Sequence, residues 1–238
     1  MIPVSGALFL LSEREGRESM KIGIIGAGNI GGTLARRWTQ LGHQVFLANS
    51  RGPESLKDLA AEMGATPGTV AEVTQDADVV VVTIPMKNVP QLPQEVFRQL
   101  PSKTVVIDTC NYYPRQRDGR IAPIEEGLPE SRWVEQQLGH PAIKVFNNIM
   151  ASHLLHNGQP AGSPDRIALP VAGDDATAKG VVMRLVDELG FEAVDTGTLD
   201  ESWRQQPGTP AYVEDLNAAR LRQALAQAVR ERTPDWQA

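Results

Sequence analysis

Short apolar runs alternate along the chain with longer stretches in which apolar residues recur at helical spacing. Lys21 to Ile25 is a compact apolar run ending at Gly26, the pattern of a strand buried on both faces. From Asn29 to Leu41 the apolar positions Ile30, Leu34, Trp38 and Leu41 predict a helix, which Gly42 stops. Val45 to Ala48 reads as a second strand, and Ser55 to Met63 as a short helix closed by Gly64. Val79 to Ile84 is the strongest strand signal in the chain. A helix is expected over Asn88 to Leu100, with Pro90 and Pro93 confined to its first turns. Val105 to Ile107 is the next strand, followed by a long loop over 111–128 that carries Pro114, Gly119, Pro123 and Gly127. Further strands are predicted at Ile143–Phe146, Ala168–Val171 and Phe191–Val194. Helices are predicted at Trp133–Leu138, Ala176–Leu189 and about Val213–Val229, with a surface loop over Asn157–Pro164.

Strands alternating with helices specify α/β architecture, a doubly wound parallel sheet covered by helices on both faces. The tail beyond the last strand is too short for a separate helical substrate domain. The expected organisation is one dinucleotide-binding Rossmann domain over 20–238, its C-terminal helices starting at about 198, preceded by a disordered extension over 1–19. That extension contains an apolar core, Val4 to Leu11, but no basic residues before it. A charged stretch, Glu13 to Glu18, follows, and the second methionine is Met20.

Composition narrows the partners. The 238 residues hold 23 basic against 29 acidic side chains, a net charge of −6, with no basic stripe, which argues against nucleic acid. No apolar run approaches the roughly 20 residues that span a bilayer. The lone cysteine, Cys110, has no internal disulfide partner, which fits a cytoplasmic setting.

Gly26-Ala27-Gly28-Asn29-Ile30-Gly31 matches G-x-G-x-x-G, and it lies between an apolar strand and a helix. In that context Gly26 permits the tight turn, Gly28 lets a pyrophosphate approach the backbone, and Gly31 lets the helix pack closely. Free N–H groups at the helix start then face the phosphate charge. At the end of the second strand, where NAD-specific sites carry a carboxylate, the chain reads Asn49-Ser50-Arg51. Arg51 can pair with a 2′-phosphate while Ser50 and Ser55 donate to it, so NADP(H) is expected over NAD(H).

Together with the Thr83-Ile84-Pro85 step and Pro170-Val171-Ala172-Gly173-Asp174-Asp175, these segments resemble the NADP oxidoreductase, coenzyme F420-dependent family. The resemblance covers about Lys21 to Ser202, and the dinucleotide domain is also similar to that of the STEAP reductases. It implies hydride transfer between NADPH and a deazaflavin, with Thr83, Ile84 and Pro85 on the nicotinamide side. It also implies that Phe146-Asn147-Asn148-Ile149 lies beside the two rings, Asn147 standing where the namesake enzymes carry histidine. The implied acceptor is a flavin-like small molecule, coenzyme F420 or a flavin, and the implied assembly is a homodimer.

Hydride transfer needs two rings in near-attack geometry and the cofactor carries the chemistry, so no catalytic residue is assigned. Asn111, Tyr112 and Asn148 are candidate acceptor contacts; the adjacent tyrosines Tyr112 and Tyr113 either form a ring platform or pack the loop. Cys110 is either a reactive thiol or an inert one, and His153 with His156 is either a metal pair or ordinary surface; no metal is expected. Two other functions compete with the reductase. One is a non-catalytic NADP(H) sensor. The other is a keto or imine reductase, for which the tail is too short to supply a helical catalytic domain.

Overall fold

The computed structural model describes residues 18–238. The expectation for residues 1–19 therefore lies outside the described range apart from Glu18 and Ser19, whose hydroxyl donates to the Gly42 carbonyl at 2.9 Å.

The main sheet contains β1 (Lys21–Ile25), β2 (Gln44–Ala48), β3 (Thr66–Pro67), β4 (Val79–Val82), β5 (Val105–Asp108) and β6 (Ile143–Lys144). Every pairing within it is parallel and the order is β3-β2-β1-β4-β5-β6. The chain thus reverses its direction of winding between β1 and β4, the point where such sheets open a crevice at their carboxyl edge. Alternate residues on each strand feed different cores. Ile22, Ile24, Val79, Val81 and Ile107 join one buried cluster, and Ile25, Val80, Val82 and Val106 the other. This period of two is what a sheet covered on both faces requires.

The helices are α1 (Asn29–Gln40), α2 (Lys57–Met63), α3 (Val70–Thr74), α4 (Gln94–Arg98), α5 (Ala122–Glu125), α6 (Glu130–Leu138), α7 (Ala151–His156), α8 (Ala176–Glu188) and α9 (Ala218–Gln227). Trp38 of α1 is fully buried and meets Phe146 edge-on, with ring centroids 5.9 Å apart. Packing of α3 on β1 depends on Gly23, where a Cβ would lie 2.0 Å from the Val73 carbonyl oxygen.

Several expectations are corrected. The helix expected over 88–100 is a tight 3₁₀ stretch, Met86–Gln91, followed by the short α4. Pro90 lacks the N–H that would continue an α-helix. The strand expected at 143–146 stops at Lys144, because Phe146 adopts φ of 62° and turns the chain out of the sheet. The last two strands, β7 (Ala168–Val171) and β8 (Glu192–Asp195), form a separate parallel pair joined by α8. That pair touches the main sheet through an antiparallel bridge between Lys144 and Ala172. Helix α9 covers it with Leu221 and Leu225, and Asn217 caps α9 by accepting from the Arg220 N–H at 3.1 Å.

Candidate functional site

The glycine loop leaves β1 and opens α1 at the reversal point of the sheet. Gly26 has φ of 120°, and a Cβ there would lie 2.1 Å from the Thr83 carbonyl oxygen. Only glycine lets the β1 and β4 loops cross this closely. A Cβ on Gly31 would lie 1.9 Å from the Gly26 carbonyl oxygen and 2.7 Å from Thr83 Cγ2, which seats α1 on the turn. Nothing approaches within 4 Å of a Cβ built on Gly28. Its face is open, and it is the N-cap of α1 without a side chain to occupy the helix N–H groups. Asn29 and Ile30 are the first residues of α1, and its first turn contains no acid. These are the features of a cradle for a phosphate anion.

The cradle continues into a cleft of about 650 Å³. Gly26, Gly28, Asn49, Ser50 and Arg51 form its β1–β2 side, and Thr83, Ile84 and Pro85 its β4 side. The turn after β2 is organised by Asn49, whose Oδ1 accepts from the Arg51 N–H at 2.9 Å and whose Nδ2 donates to Ser55 Oγ at 3.0 Å. Ser50, Arg51 and Ser55 are exposed. The nearest carboxylate in sequence, Glu54, is held by Lys57 at 2.6 Å. A ribose 2′-phosphate would therefore meet a guanidinium and hydroxyls with no free acid in the turn. Val70 of α3 and Asn88, Gln91, Leu92 and Pro93 after β4 also line the cleft. The sequence reading missed them. The signal for Val70 was the Thr69–Glu72 capping box that starts α3, with the Glu72 carboxylate accepting from the Thr69 N–H at 2.7 Å.

The residues proposed beside the two rings do not line this cleft. Asn147, Asn148 and Ile149 are buried at the end of β6. Asn147 Nδ2 donates to the Gln205 carbonyl at 2.7 Å and to Asn111 Oδ1 at 3.1 Å, while Gln205 Nε2 donates to Asn147 Oδ1 at 2.9 Å. Asn148 Nδ2 donates to the Ala211 carbonyl at 3.3 Å. Their amides join the tail to the sheet instead of facing a ligand. Asn111 remains half-buried at the carboxyl edge of β5.

Tyr112 is fully buried, so it is no ring platform. Its N–H donates to buried Glu130 at 3.0 Å and its hydroxyl donates to Glu125 at 2.9 Å. The loop-packing alternative is the one realised, and Tyr113, half-buried, is the tyrosine left near the surface. Cys110 is buried, and burial together with Asp108 pushes its thiol well above the ordinary range, so it is inert. Beside it Lys144, fully buried, pairs with fully buried Asp108 at 3.1 Å and donates to the Cys110 carbonyl. His153 lies on α7 and pairs with Asp215 at 2.8 Å. Among the described residues no cluster of His, Cys, Asp and Glu is arranged to hold a metal, and no helix is long and apolar enough to cross a membrane.

A parallel sheet ordered 3-2-1-4-5-6 with a glycine cradle at its reversal point defines a Rossmann fold, the architecture in which dinucleotides are bound at this point. Residues 21–112 match the model of the family described as NADP oxidoreductase coenzyme F420-dependent, so the resemblance read from the motifs holds over this cradle and cleft. The Escherichia coli K12 protein YjhV is 48% identical over 73 residues, which is 31% of this chain and 53% of that protein. Erythronate-4-phosphate dehydrogenase of Salmonella arizonae is 25% identical over 150 residues, 60% of this chain and 38% of that enzyme. The chain thus spans about half, or less, of the length of these curated relatives. Among solved structures, the hypothetical protein SMa0349 of Sinorhizobium meliloti superposes with a TM-score of 0.68 at 28% identity, covering 88% of this chain and 98% of that one. A provisionally named F420-dependent NADP reductase of Arthrobacter sp. FB24 superposes with a TM-score of 0.62 at 23% identity, covering 76% of this chain and 86% of that one; at this identity it shows the shared fold alone.

Proposed function

We propose that the protein is an NADP(H)-dependent oxidoreductase that passes hydride between NADPH and a flavin-like acceptor, coenzyme F420 or a flavin. The observation that carries the reading is the pairing of an open glycine cradle with a carboxylate-free Asn49-Ser50-Arg51 turn, in a segment that matches a family of NADP oxidoreductases. The residues present fit the cofactor. Gly28 and the start of α1 would hold the pyrophosphate, Arg51, Ser50 and Ser55 the 2′-phosphate, and Thr83 to Pro85 would border the nicotinamide. When bound, the reduced nicotinamide supplies the hydride. Gly26 and Gly31 keep the cradle's backbone close-packed, and Asn49 aims the turn by holding the Arg51 N–H and Ser55 hydroxyl. The proposal includes a cytoplasmic homodimer acting on a small molecule, the assembly being measurable by light scattering of the purified chain.

The test is loss of reduced-nicotinamide absorbance with coenzyme F420, FMN, FAD, riboflavin and a quinone offered separately, with NADH as control. NADPH-specific reduction of one ring is the expected result. Tight NADPH binding with no oxidation by any of them would overturn the enzyme reading in favour of a sensor.

A further inference from the structure

Val70, Asn88, Gln91, Leu92 and Pro93 line the cofactor cleft without a role in the reading above. Three of them are apolar, and Val70 and Leu92 are half-buried on the same core cluster as Ile84. The other two carry carboxamides, Gln91 exposed and Asn88 half-buried. The backbone at Asn88 is clamped. Its N–H donates to the Pro85 carbonyl at 2.9 Å, the Lys87 N–H donates to Asp118 Oδ1 at 3.2 Å, and Met86 and Val89 on either side are buried. The side chain is not clamped: among the described residues the Asn88 carboxamide makes no hydrogen bond. A partly desolvated amide in a cleft wall costs free energy unless a ligand completes its bonding.

We propose that Asn88 reads the base of the dinucleotide. The inference rests on the NADP(H) reading above and adds a specificity-determining residue to it. The 2′-phosphate that the Ser50-Arg51 turn would take and the adenine are borne by one ribose. The base therefore falls within one sugar ring of that turn, inside the cleft that both the turn and Asn88 line. Adenine is flat and apolar on its faces, and its edge presents an amine donor beside a ring-nitrogen acceptor. A carboxamide is the complement of that pair. The Asn88 oxygen accepts from the exocyclic amine, Nδ2 donates to the neighbouring ring nitrogen, and Val70, Leu92 and Pro93 cover a face of the ring. Arg51 thus selects the phosphate and Asn88 the base. No bond is made or broken at Asn88, so its contribution is to cofactor affinity and not to the hydride step.

The experiment is titration calorimetry of the full chain and of Asn88→Ala with three probes. They are NADP⁺, adenosine 2′,5′-bisphosphate, which lacks the nicotinamide, and the 1,N6-ethenoadenine analogue of NADP⁺, in which the amine donor is closed into a ring. The parent is expected to bind the etheno analogue about tenfold more weakly than NADP⁺. Asn88→Ala is expected to keep the parent's thermal midpoint, to bind NADP⁺ and the bisphosphate about tenfold more weakly each, and to treat NADP⁺ and the etheno analogue alike. Unchanged affinities in the variant would overturn the proposal. So would a variant that loses affinity for NADP⁺ but not for the bisphosphate, since the amide would then serve the nicotinamide end. A preference against the etheno analogue that persists in Asn88→Ala would assign it to crowding by the added ring and overturn the proposal as well. In each of these cases a parent that binds NADP⁺ keeps the cofactor reading intact. A parent that binds none of the probes overturns that reading and the proposal together, and no variant is needed to see it.

Discussion

Gly28 and Gly31 stand in one turn and do opposite jobs. A methyl group on Gly31 has no room, since it would meet the Gly26 carbonyl and Thr83. Gly31→Ala is therefore expected to lower stability by about 1–3 kcal/mol, read as a fall in the thermal midpoint. A methyl on Gly28 meets nothing in the protein, and its φ of −77° suits any residue. Gly28→Ala is expected to unfold at the parent temperature yet bind NADPH at least about tenfold more weakly, a cost of ~1.4 kcal/mol, because the methyl stands where phosphate must approach. Titration calorimetry separates the two effects. Arg51 offers a parallel contrast. It is exposed, and no acid is free in its turn, so Arg51→Ala should leave stability alone and weaken NADPH binding by ~1.5–3 kcal/mol while NADH binding stays level. Equal loss for both cofactors would show that Arg51 does not meet the 2′-phosphate.

Helix α6 is tied to the β7–β8 unit by Arg132. Its guanidinium pairs with Glu135 at 2.6 Å on its own helix, with Asp174 at 2.9 Å after β7, and with Asp200 at 2.8 Å. Hydrogen bonding from Arg132 is the first cause that holds the Asp174 carboxyl below its usual range. The charged form is favoured in the folded state. The stabilisation is present above the unfolded carboxylate value of about 3.9 and is lost as pH falls through the lower folded value. Asp174 is well solvated, so the contribution is ~1 kcal/mol or less. Arg132→Gln should therefore change the urea midpoint little at neutral pH and flatten its decline below about pH 4. At this same level much of the architecture was legible. The runs at β1, β2, β4 and β5 are long and apolar because both faces of the sheet are covered. Residues such as Phe146 were not legible: its φ of 62° takes the chain out of β6 while its ring meets Trp38, a contact that local sequence does not announce. The cleft wall around Gly26, Arg51 and Thr83 was readable from local motifs. Tyr112 and Asn147 were misread because their burial depends on Glu130 and Gln205, far away in the chain.

The C-terminal segment closes back on α6 through an ion pair between residues 102 positions apart in the chain. Glu130 of α6 is fully buried, and Arg232 reaches it from beyond α9 while lying 5.1 Å from the centre of the Tyr112 ring. The same segment carries Trp236 onto Tyr113 and Tyr212, fitting against Gly208, where a Cβ would lie 2.5 Å from the indole. Burial raises the Glu130 carboxyl, and Arg232 works against that rise. Removing the guanidinium leaves a buried carboxylate that still accepts from the Tyr112 N–H at 3.0 Å. Arg232→Ala is expected to lose about 3–5 kcal/mol at neutral pH, a larger effect than any surface change. The loss has a direction in pH. A carboxyl raised in the folded state favours its protonated form there, so its contribution is present below the unfolded value of about 4.3 and is lost as pH rises through the folded one. The deficit of Arg232→Ala should accordingly shrink as pH is lowered from neutral into the acid range, because the orphaned carboxyl can then take a proton. Adding Glu130→Gln should restore most of it at neutral pH, since the amide oxygen can still accept from Tyr112 without a buried charge. Denaturant unfolding of the two variants across that pH range decides the matter. A deficit that is constant with pH and unrelieved by Glu130→Gln would mean that Arg232 acts by packing on Tyr112, and that the tail is held by its rings instead of by its charge.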